Sequence, residues 1–443
     1  MALKGLDIFK LTPRTNCKEC GAPTCMAFAM KVAQGTVKIE QCPYMSEEAL
    51  GTLAGATAPP MKAVTFGAEG AELKLGGETV LFRHEKTFVS KNPFGVTICA
   101  DCADERLAEA AKIDYERIGE RMVVDVINVE FAGDKEGFLG AVKKAVDFGR
   151  AIILEVSDAD AAKAALELAG GMKPILNGAN AGNFKEFSEI AIAAGVPLGV
   201  SGADLDEIHD TVRALEEAGV KEIVIDVGSA SANEVFANTV QIRRAAIKDG
   251  DRTMGYPTIV NASKLAGGCR YCETALASLF TLKYGSIVIM SGMSYAQALP
   301  LYGLRQNIYT DPQKPMTVEE GIYPINGAKA DSPCALTVDF ALTYFIVSGE
   351  IERSGMPVNL LIPDAGGYSV LTAWAAGKLS AGSIARFIKG HDIESKIDSR
   401  DLMIPGKVAV LKGELEESLP GWNIIVAPNE AVSLVKFLKE RYA

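Results

Sequence analysis

Short apolar runs alternate along most of the chain with longer stretches of helical spacing. Eight runs read as strands: TFVS, MVVDVI, AIILEV, KPILN, PLGVSG, EIVIDVG, PTIVNA and SIVIMSG. Amphipathic segments such as DADAAKAALELAGG and DLDEIHDTVRALEEAG lie between most of them. Consecutive apolar positions suit strands covered on both faces, as in parallel sheets flanked by helices. Eight strand–helix units over roughly 230 residues match a (β/α)8 barrel in number and length. A doubly wound sheet is the competing arrangement.

The pattern differs on either side of this region. Residues 1–57 hold little apolar material. The helical stretch TCMAFAMKVAQG ends at Gly35, a C-cap candidate, and SEEALGTL opens with Ser46 as an N-cap candidate. A unit this small gains from a metal staple. The linker GATAPP follows, and residues 58–85 read as glycine-broken short strands, a linker with a hairpin, before the barrel at 86–312. Residues 313–332 loosen into a second linker. A third unit, 333–443, runs strand CALTV, helix DFALTYFIVSGEIERSG, strand VNLLIP, helix VLTAWAAGKL, strand NIIVAP and a closing helix. The expected fold class is α/β: a small N-terminal cluster domain, a central TIM barrel and a C-terminal open doubly wound domain.

Composition narrows the function classes. A net charge of −11 argues against nucleic acid, whose phosphates require a basic footprint. No apolar run approaches the ~20 residues that span a bilayer, and the first residues lack the features of a signal peptide. The expected location is cytoplasmic. Nine cysteines are then better read as ligands or buried thiols than as disulfides. Histidine occurs only at positions 84, 209 and 391. His84 and His209 read as structural or solvated.

Four cysteines, Cys17, Cys20, Cys25 and Cys42, fall in the spacing C-x2-C-x4-C-x16-C. Four thiolates suit zinc or an iron–sulfur cluster. Only the first pair has the knuckle form of zinc sites, Pro23 widens the second interval, and Cys42 precedes a proline. The spacing therefore favours [4Fe–4S] over zinc or inert thiols. Cys99/Cys102 and Cys269/Cys272 are two further C-x2-C pairs, after the first and seventh barrel strands. They read first as small semi-buried thiols, with a shared metal site or redox pairs as the functional alternatives.

In a barrel, functional groups gather where strands end. Glu155, Asn177, Ser201, Asp226, Asn261 and Ser291 lie at such ends and make a polar mouth suited to a pterin-like ligand. The mouth has no histidine, no nucleophile–base pair and no phosphate-binding glycine loop, so no catalytic side chain is expected. In the third unit, Asp364-Ala365-Gly366-Gly367 joins a strand to a helix starting near Ser369, where glycines allow close backbone approach. Thr337, Thr343, Asn429 and Glu430 lie at equivalent ends of other strands. Three polar loops along one edge point to a sizeable, amide-rich ligand.

These features resemble a known family. The motif TNCKECGAPTCMAFA, the central barrel and IPDAGGYSVLTAW are similar, over essentially the whole chain, to the large (gamma) subunits of corrinoid iron–sulfur proteins of the acetyl-CoA (Wood–Ljungdahl) pathway. The resemblance implies a [4Fe–4S] cluster on Cys17, Cys20, Cys25 and Cys42, and a C-terminal cobamide-binding domain. It places Thr337, Thr343, Gly367, Tyr368, Ser369, Val370 and Glu430 at cobamide contacts, with Gly366 in the same loop and Thr372 one helical turn on, below the cobalt. It further implies a tight heterodimer with a smaller barrel subunit. The D-x-H-x-x-G loop of many B12 proteins is not in this sequence, and His391 in IKGHDIES follows a helix. The cobamide is therefore expected base-off, with no histidine ligand.

The function implied is that of a corrinoid methyl carrier, one component of a methyltransferase system. Co(I) takes a methyl group from methyltetrahydrofolate, or a pterin analogue, through a separate methyltransferase and passes it to acetyl-CoA synthase. The cluster returns Co(II) to Co(I). Two alternatives stand beside it: a pterin-dependent methyltransferase working in its own barrel, and a non-catalytic electron-transfer adaptor.

Overall fold

The computed structural model describes residues 5–33, 37, 39–46, 49, 58–311 and 315–442. Gly35, most of the helix expected after Ser46 and the first half of GATAPP lie outside the described residues. Two compact units emerge, one of Met1–Asp114 with Val123–Tyr309, the other of Tyr115–Met122 with Thr310–Ala443.

The first unit opens with α1 (Gly5–Leu11) and α2 (Cys25–Ala33). Ile8, Phe28, Ala29 and Val32 pack with Ile39 and Met45 into a small core that also takes in Cys42. Ser46 Oγ accepts from the Ala49 N–H at 3.2 Å, the contact an N-cap makes. A hairpin follows, β1 (Val64–Phe66) and β2 (Leu73–Leu75).

The barrel then begins at β3 (Phe94–Ile98), followed by α3 (Ala103–Ala110). The chain leaves it through a second hairpin, β4 (Asp114–Arg117) and β5 (Glu120–Val123), and returns at β6 (Val126–Glu130) and α4 (Lys135–Phe148). Six more strands follow: β7 (Ala151–Glu155), β8 (Ile175–Ala179), β9 (Leu198–Val200), β10 (Ile223–Asp226), β11 (Thr258–Asn261) and β12 (Ile287–Met290). Their helices are α5 (Ala159–Ala169), α6 (Phe184–Ala194), α7 (Leu205–Glu217), α8 (Ala232–Arg244), α9 (Ala262–Leu265) with α10 (Arg270–Leu282), and α11 (Tyr295–Ile308). The strands close in the order β10-β11-β12-β3-β6-β7-β8-β9, all parallel. Aspartate and serine N-caps start several of these helices, Asp158 accepting from Ala161 at 2.7 Å and Asp204 from Glu207 at 2.9 Å.

Two strand expectations need correction. TFVS is not a strand, and the first barrel strand is FGVTI, which starts seven residues further on. The backbone N–H groups of Val89 and Ser90 go to Glu78 Oε1, at 2.9 and 3.2 Å, instead of to a ladder. The true strand carries Gly95 and Thr97 and so lacks a continuous apolar run. MVVDVI is divided between β5 and β6, because the Asp125 carboxylate accepts the Phe94 N–H at 2.9 Å and breaks the run.

Inside the barrel, apolar and polar layers separate. Val126, Ile153, Ile175, Val224, Ile259 and Ile289 pack together with Val64, Phe66 and Leu75 of the β1–β2 hairpin, which plugs one end. Alternation along each strand then turns Asn128, Glu155, Asn177, Asp226 and Asn261 inward at the carboxyl ends.

The second unit is a five-stranded sheet in the order β13-β15-β14-β16-β17. Its elements are β13 (Gly321–Ile325), β14 (Cys334–Leu336), α12 (Ala341–Ser354), β15 (Val358–Ile362), α13 (Val370–Ala375), α14 (Ala381–Gly390), α15 (Ile393–Lys396), β16 (Asp401–Ile404), α16 (Lys412–Ser418), β17 (Asn423–Val426) and α17 (Leu434–Tyr442). β14, β15, β16 and β17 are parallel, and β13 adds an antiparallel edge. β13 lies inside the stretch 313–332 read as a linker; its alternation includes an exposed Pro324, tolerated because an edge strand has a free side. Separate apolar cores cover the two faces, one around Ile384, Ile388 and Leu415, the other around Ile351, Leu360 and Leu438. Ile118 of the β4–β5 hairpin joins the second core, and the Arg117 guanidinium lies 5.0 Å from the Phe345 ring centre.

Candidate functional site

The cysteine loop winds back on itself through left-handed backbone at Arg14, Asn16, Lys18 and Gly21. Cys25 and Cys42 are buried, Cys20 is half-buried and Cys17 is exposed. Among the described residues, no three cysteine, histidine or carboxylate side chains stand in a metal-holding group. The donor set nonetheless fits an iron–sulfur cluster. All four candidate ligands are soft thiols on one short segment, and Asn16 clamps the third: its side chain accepts the Cys25 N–H at 2.8 Å while its own N–H donates to Cys25 Sγ at 3.4 Å. Backbone N–H donors to sulfur are what tune such clusters. The Tyr44 hydroxyl donates to Glu19 at 3.0 Å; that hydrogen bond raises its pKa, and Cys17 and Cys42 add to the effect.

In the second unit, a cleft of about 290 Å³ opens at the carboxyl ends of β14, β16 and β17. Such ends are where open α/β sheets bind ligands. Leu336 ends β14 and Thr337 follows it, Thr343, Ile346 and Val347 come from α12, and Ser369, Val370 and Leu371 from the start of α13. Pro405 and Lys407 follow β16, Asn429 and Glu430 follow β17, and Leu434 and Leu438 close the floor. Five residues expected at a cofactor therefore share one cavity: Thr337, Thr343, Ser369, Val370 and Glu430. Gly366, Gly367, Tyr368 and Thr372 do not line it.

Those four shape its edge. Gly366 and Gly367 have φ of +70° and +73°, a conformation that favours glycine. The Gly366 N–H donates to Asp364 at 2.8 Å, and the Gly367 N–H to both oxygens of Asp339 at 3.1 and 3.0 Å. Burial pushes the Asp339 carboxyl above its usual range, and the Gly367 and Ala365 N–H groups pull it partly back. This double turn delivers Ser369 to the N-cap of α13, where its hydroxyl meets that of Thr372 at 2.9 Å. Tyr368 stays half-exposed beside it.

Thr337 carries the sharpest sign of a ligand. It is 1% exposed, and its Oγ1 is buried with no hydrogen-bond partner. A buried hydroxyl without a partner costs free energy, so a ligand that satisfies it gains accordingly. Sequence reasoning missed Gly406 and Lys407. A Cβ on Gly406 would meet the Ala427 carbonyl at 2.4 Å and Asn429 Oδ1 at 2.7 Å, so only glycine lets these two loops close. Lys407 then pairs with Glu430 at 3.1 Å across the cleft. The Pro-Gly step after MI was the available signal. His391 lies elsewhere, capping α14, with Nδ1 3.3 Å from the Phe387 carbonyl and Nε2 3.8 Å from Glu320.

The barrel mouth is largely self-satisfied. Asn177 donates to Asp226 at 2.8 Å, Asn128 to Glu155 at 2.8 Å, and Ser291 to Glu273 at 3.0 Å, while Lys264 pairs with Glu155 and with Glu130. Burial pushes Asp226 upward, against the pull of Asn177 and the Gly228 N–H. Asn128 Oδ1 and Asn261 Nδ2 remain over among the described residues.

Comparison with known proteins assigns these features to one lineage. A family described as CO dehydrogenase/acetyl-CoA synthase delta subunit matches residues 63–438, and an Fe-S cluster family matches residues 13–44, which hold all four cysteines. The chain is 37% identical over 450 residues to the corrinoid/iron-sulfur protein large subunit of Moorella thermoacetica, with 100% of each covered. The chain belongs to the corrinoid/iron–sulfur large-subunit family. Other relatives are acetyl-CoA decarbonylase/synthase complex gamma subunits. One from Methanothermobacter thermautotrophicus is 32% identical over 455 residues, with 99% of each chain covered. Another, gamma 1 from Methanosarcina thermophila, is 34% identical over 450 residues, with 96% of each covered. These matches run over essentially the whole length of the chain and of its relatives. Among the described residues, no helix is long and apolar enough to cross a membrane.

Proposed function

We propose that the chain is the corrinoid-carrying, cluster-bearing subunit of a methyl-transfer system in the acetyl-CoA pathway. The observation that carries this reading is the full-length match to a protein named for a corrinoid and an iron–sulfur centre.

Cys17, Cys20, Cys25 and Cys42 would hold the [4Fe–4S] cluster, which when bound supplies single electrons at low potential. The cleft would hold the cobamide, whose cobalt supplies the methyl-carrying chemistry. The chain's own residues bind and orient. The hydroxyls of Thr337, Thr343 and Ser369 and the amide of Asn429 match an amide-rich ligand, and Ile346, Val347, Leu434 and Leu438 supply an apolar floor. A volume of about 290 Å³ suits a nucleotide-sized arm of such a cofactor better than a macrocycle. The ring would then lie at the rim, where Leu342, Leu371, Trp374 and Val432 are exposed. Thr372 would sit on that rim, and the cobalt is proposed to be base-off, without a histidine ligand, since His391 caps its own helix at the Phe387 carbonyl. The same exposed apolar rim supports docking by protein partners. Those proposed are a smaller barrel subunit, a methyltetrahydrofolate methyltransferase and acetyl-CoA synthase.

The test is spectroscopic. Purified anaerobically with its small subunit, the protein should show corrinoid bands, a Co(II) EPR signal and a cluster signal. Cluster absorption without any corrinoid signature overturns the carrier reading. Cys20→Ala should abolish reductive reactivation yet leave methyl transfer intact in chemically pre-reduced protein. Loss of both together would show that the cluster does more than deliver electrons.

A further inference from the structure

The two C-x2-C pairs outside the cluster loop share a local architecture. Cys99 and Cys102 follow β3, Cys102 caps α3, and their sulfurs are in bonding contact. Cys269 and Cys272 follow β11, and Cys269 caps the 13-residue helix α10. Its sulfur accepts the Cys272 N–H at 3.3 Å. The helices carrying the pairs are tied together: Arg270, next to Cys269, donates to both oxygens of Glu109 on α3, at 2.8 and 3.0 Å. Both pairs therefore stand on the carboxyl-end rim of the barrel, around β3, β11 and the intervening β12.

Access and electrostatics separate Cys269–Cys272 from a core thiol. Cys272 is exposed, Cys269 is partly exposed, and Tyr271 between them is 90% exposed. By contrast, Cys334 is fully buried in β14, and burial pushes its thiol up to about 12. Hydrogen bonds from the Cys272 thiol and from the N–H groups of Cys272 and Tyr271 lower the pKa of Cys269, and the same thiol contact raises that of Cys272. One sulfur is thus prepared to attack and the other is held as a protonated neighbour within reach.

The geometry points to Cys269–Cys272 as a thiol–disulfide exchange site, with Cys269 the attacking thiolate and Cys272 the resolving thiol, acting on an accessible disulfide of a small molecule or of another protein. Cys269 sulfur bonds to one sulfur of that disulfide, whose S–S bond breaks and releases one thiolate. Cys272 then gives up its proton, and its sulfur bonds to Cys269 sulfur, displacing the second thiolate. The protein dithiol is oxidised by two electrons and the incoming disulfide is reduced to two thiols. The site accounts for cysteines that neither the cluster nor the cleft uses.

The test uses the full chain with its cluster in place, under anaerobic conditions. It is incubated in glutathione redox buffers or with oxidised thioredoxin, free thiols are blocked with N-ethylmaleimide, and peptides are mapped by mass spectrometry. A peptide linked through Cys269 and Cys272 should appear in one two-electron step. Cys272→Ser should trap a mixed disulfide on Cys269, whereas Cys269→Ser should trap severalfold less on Cys272. At one fixed pH, iodoacetamide should label Cys269 at least about threefold faster than Cys272. Linkage with glutathione alone identifies a small-molecule source, and linkage with thioredoxin alone a protein source. No linked peptide under any condition, or equal trapping in both variants, overturns the assignment. Cluster absorbance, followed in parallel, separates these events from oxidation of the cluster cysteines.

Discussion

Arg305→Ala is expected to lower the stability of the barrel unit by about 3–5 kcal/mol, the range for removing one partner of a buried ion pair. Arg305 is 5% exposed on α11, the last barrel helix. Its Nη1 donates to Asp125 Oδ2 at 2.6 Å and to the Asn92 carbonyl at 3.2 Å. Asp125 also accepts the Phe94 N–H, so the pair joins the last helix to the start of β3 and to the residue before β6. The guanidinium further lies 4.6 Å from the Tyr302 ring centre and 5.4 Å from that of Phe94. Alanine removes all of this and leaves the Asp125 carboxylate mostly buried beside an opened space. Urea unfolding followed by tryptophan-independent probes, such as far-UV dichroism, measures the loss. Restoring neutrality with Asp125→Asn in the Arg305→Ala background should recover part of it. A loss below about 1 kcal/mol would show that the closure does not depend on this pair.

Thr337→Val is expected to act in opposite directions on the empty and the loaded protein. The two side chains are close in shape, and valine removes a buried hydroxyl that has no partner. Without corrinoid, stability should therefore hold or rise by about 1 kcal/mol, since an unsatisfied buried polar group is itself a cost. Where the proposed corrinoid takes up that hydroxyl, the variant loses one hydrogen bond, and affinity should fall about tenfold, roughly 1.4 kcal/mol. Titrating corrinoid into cofactor-free wild type and variant gives the second number, and unfolding of the same preparations gives the first. Equal affinities together with a destabilised empty protein would mean that Thr337 serves packing and not the ligand.

Much of the molecule was legible in its residues, for identifiable reasons. Seven of the eight barrel strands were readable at least in part because parallel strands buried on both faces are apolar at successive positions, as in AIILE and IVIM. The first strand escaped because Gly95 and Thr97 face the interior and dilute the run. The cysteine spacing pointed to a soft-metal loop without reference to the rest of the chain. The Asp-Ala-Gly-Gly turn was equally readable, since two adjacent glycines mark backbone that other residues resist.

Amino-acid order alone thus determined the α/β class, most of the barrel strands and the grouping of four soft thiols on one segment, because periodicity and spacing are local records of burial and donor chemistry. Tertiary structure decided which strand ends meet. Thr337, Ser369, Lys407 and Glu430 share one cleft only because β15, β14, β16 and β17 lie side by side after crossovers that no local pattern encodes. It also decided which polar groups are spent and which are left: the mouth amides largely bind carboxylates on other strands, while the Thr337 hydroxyl has no partner. Satisfaction of a hydrogen-bonding group depends on neighbours distant in the chain, so the fold, not the order of residues, exposes the candidate ligand site.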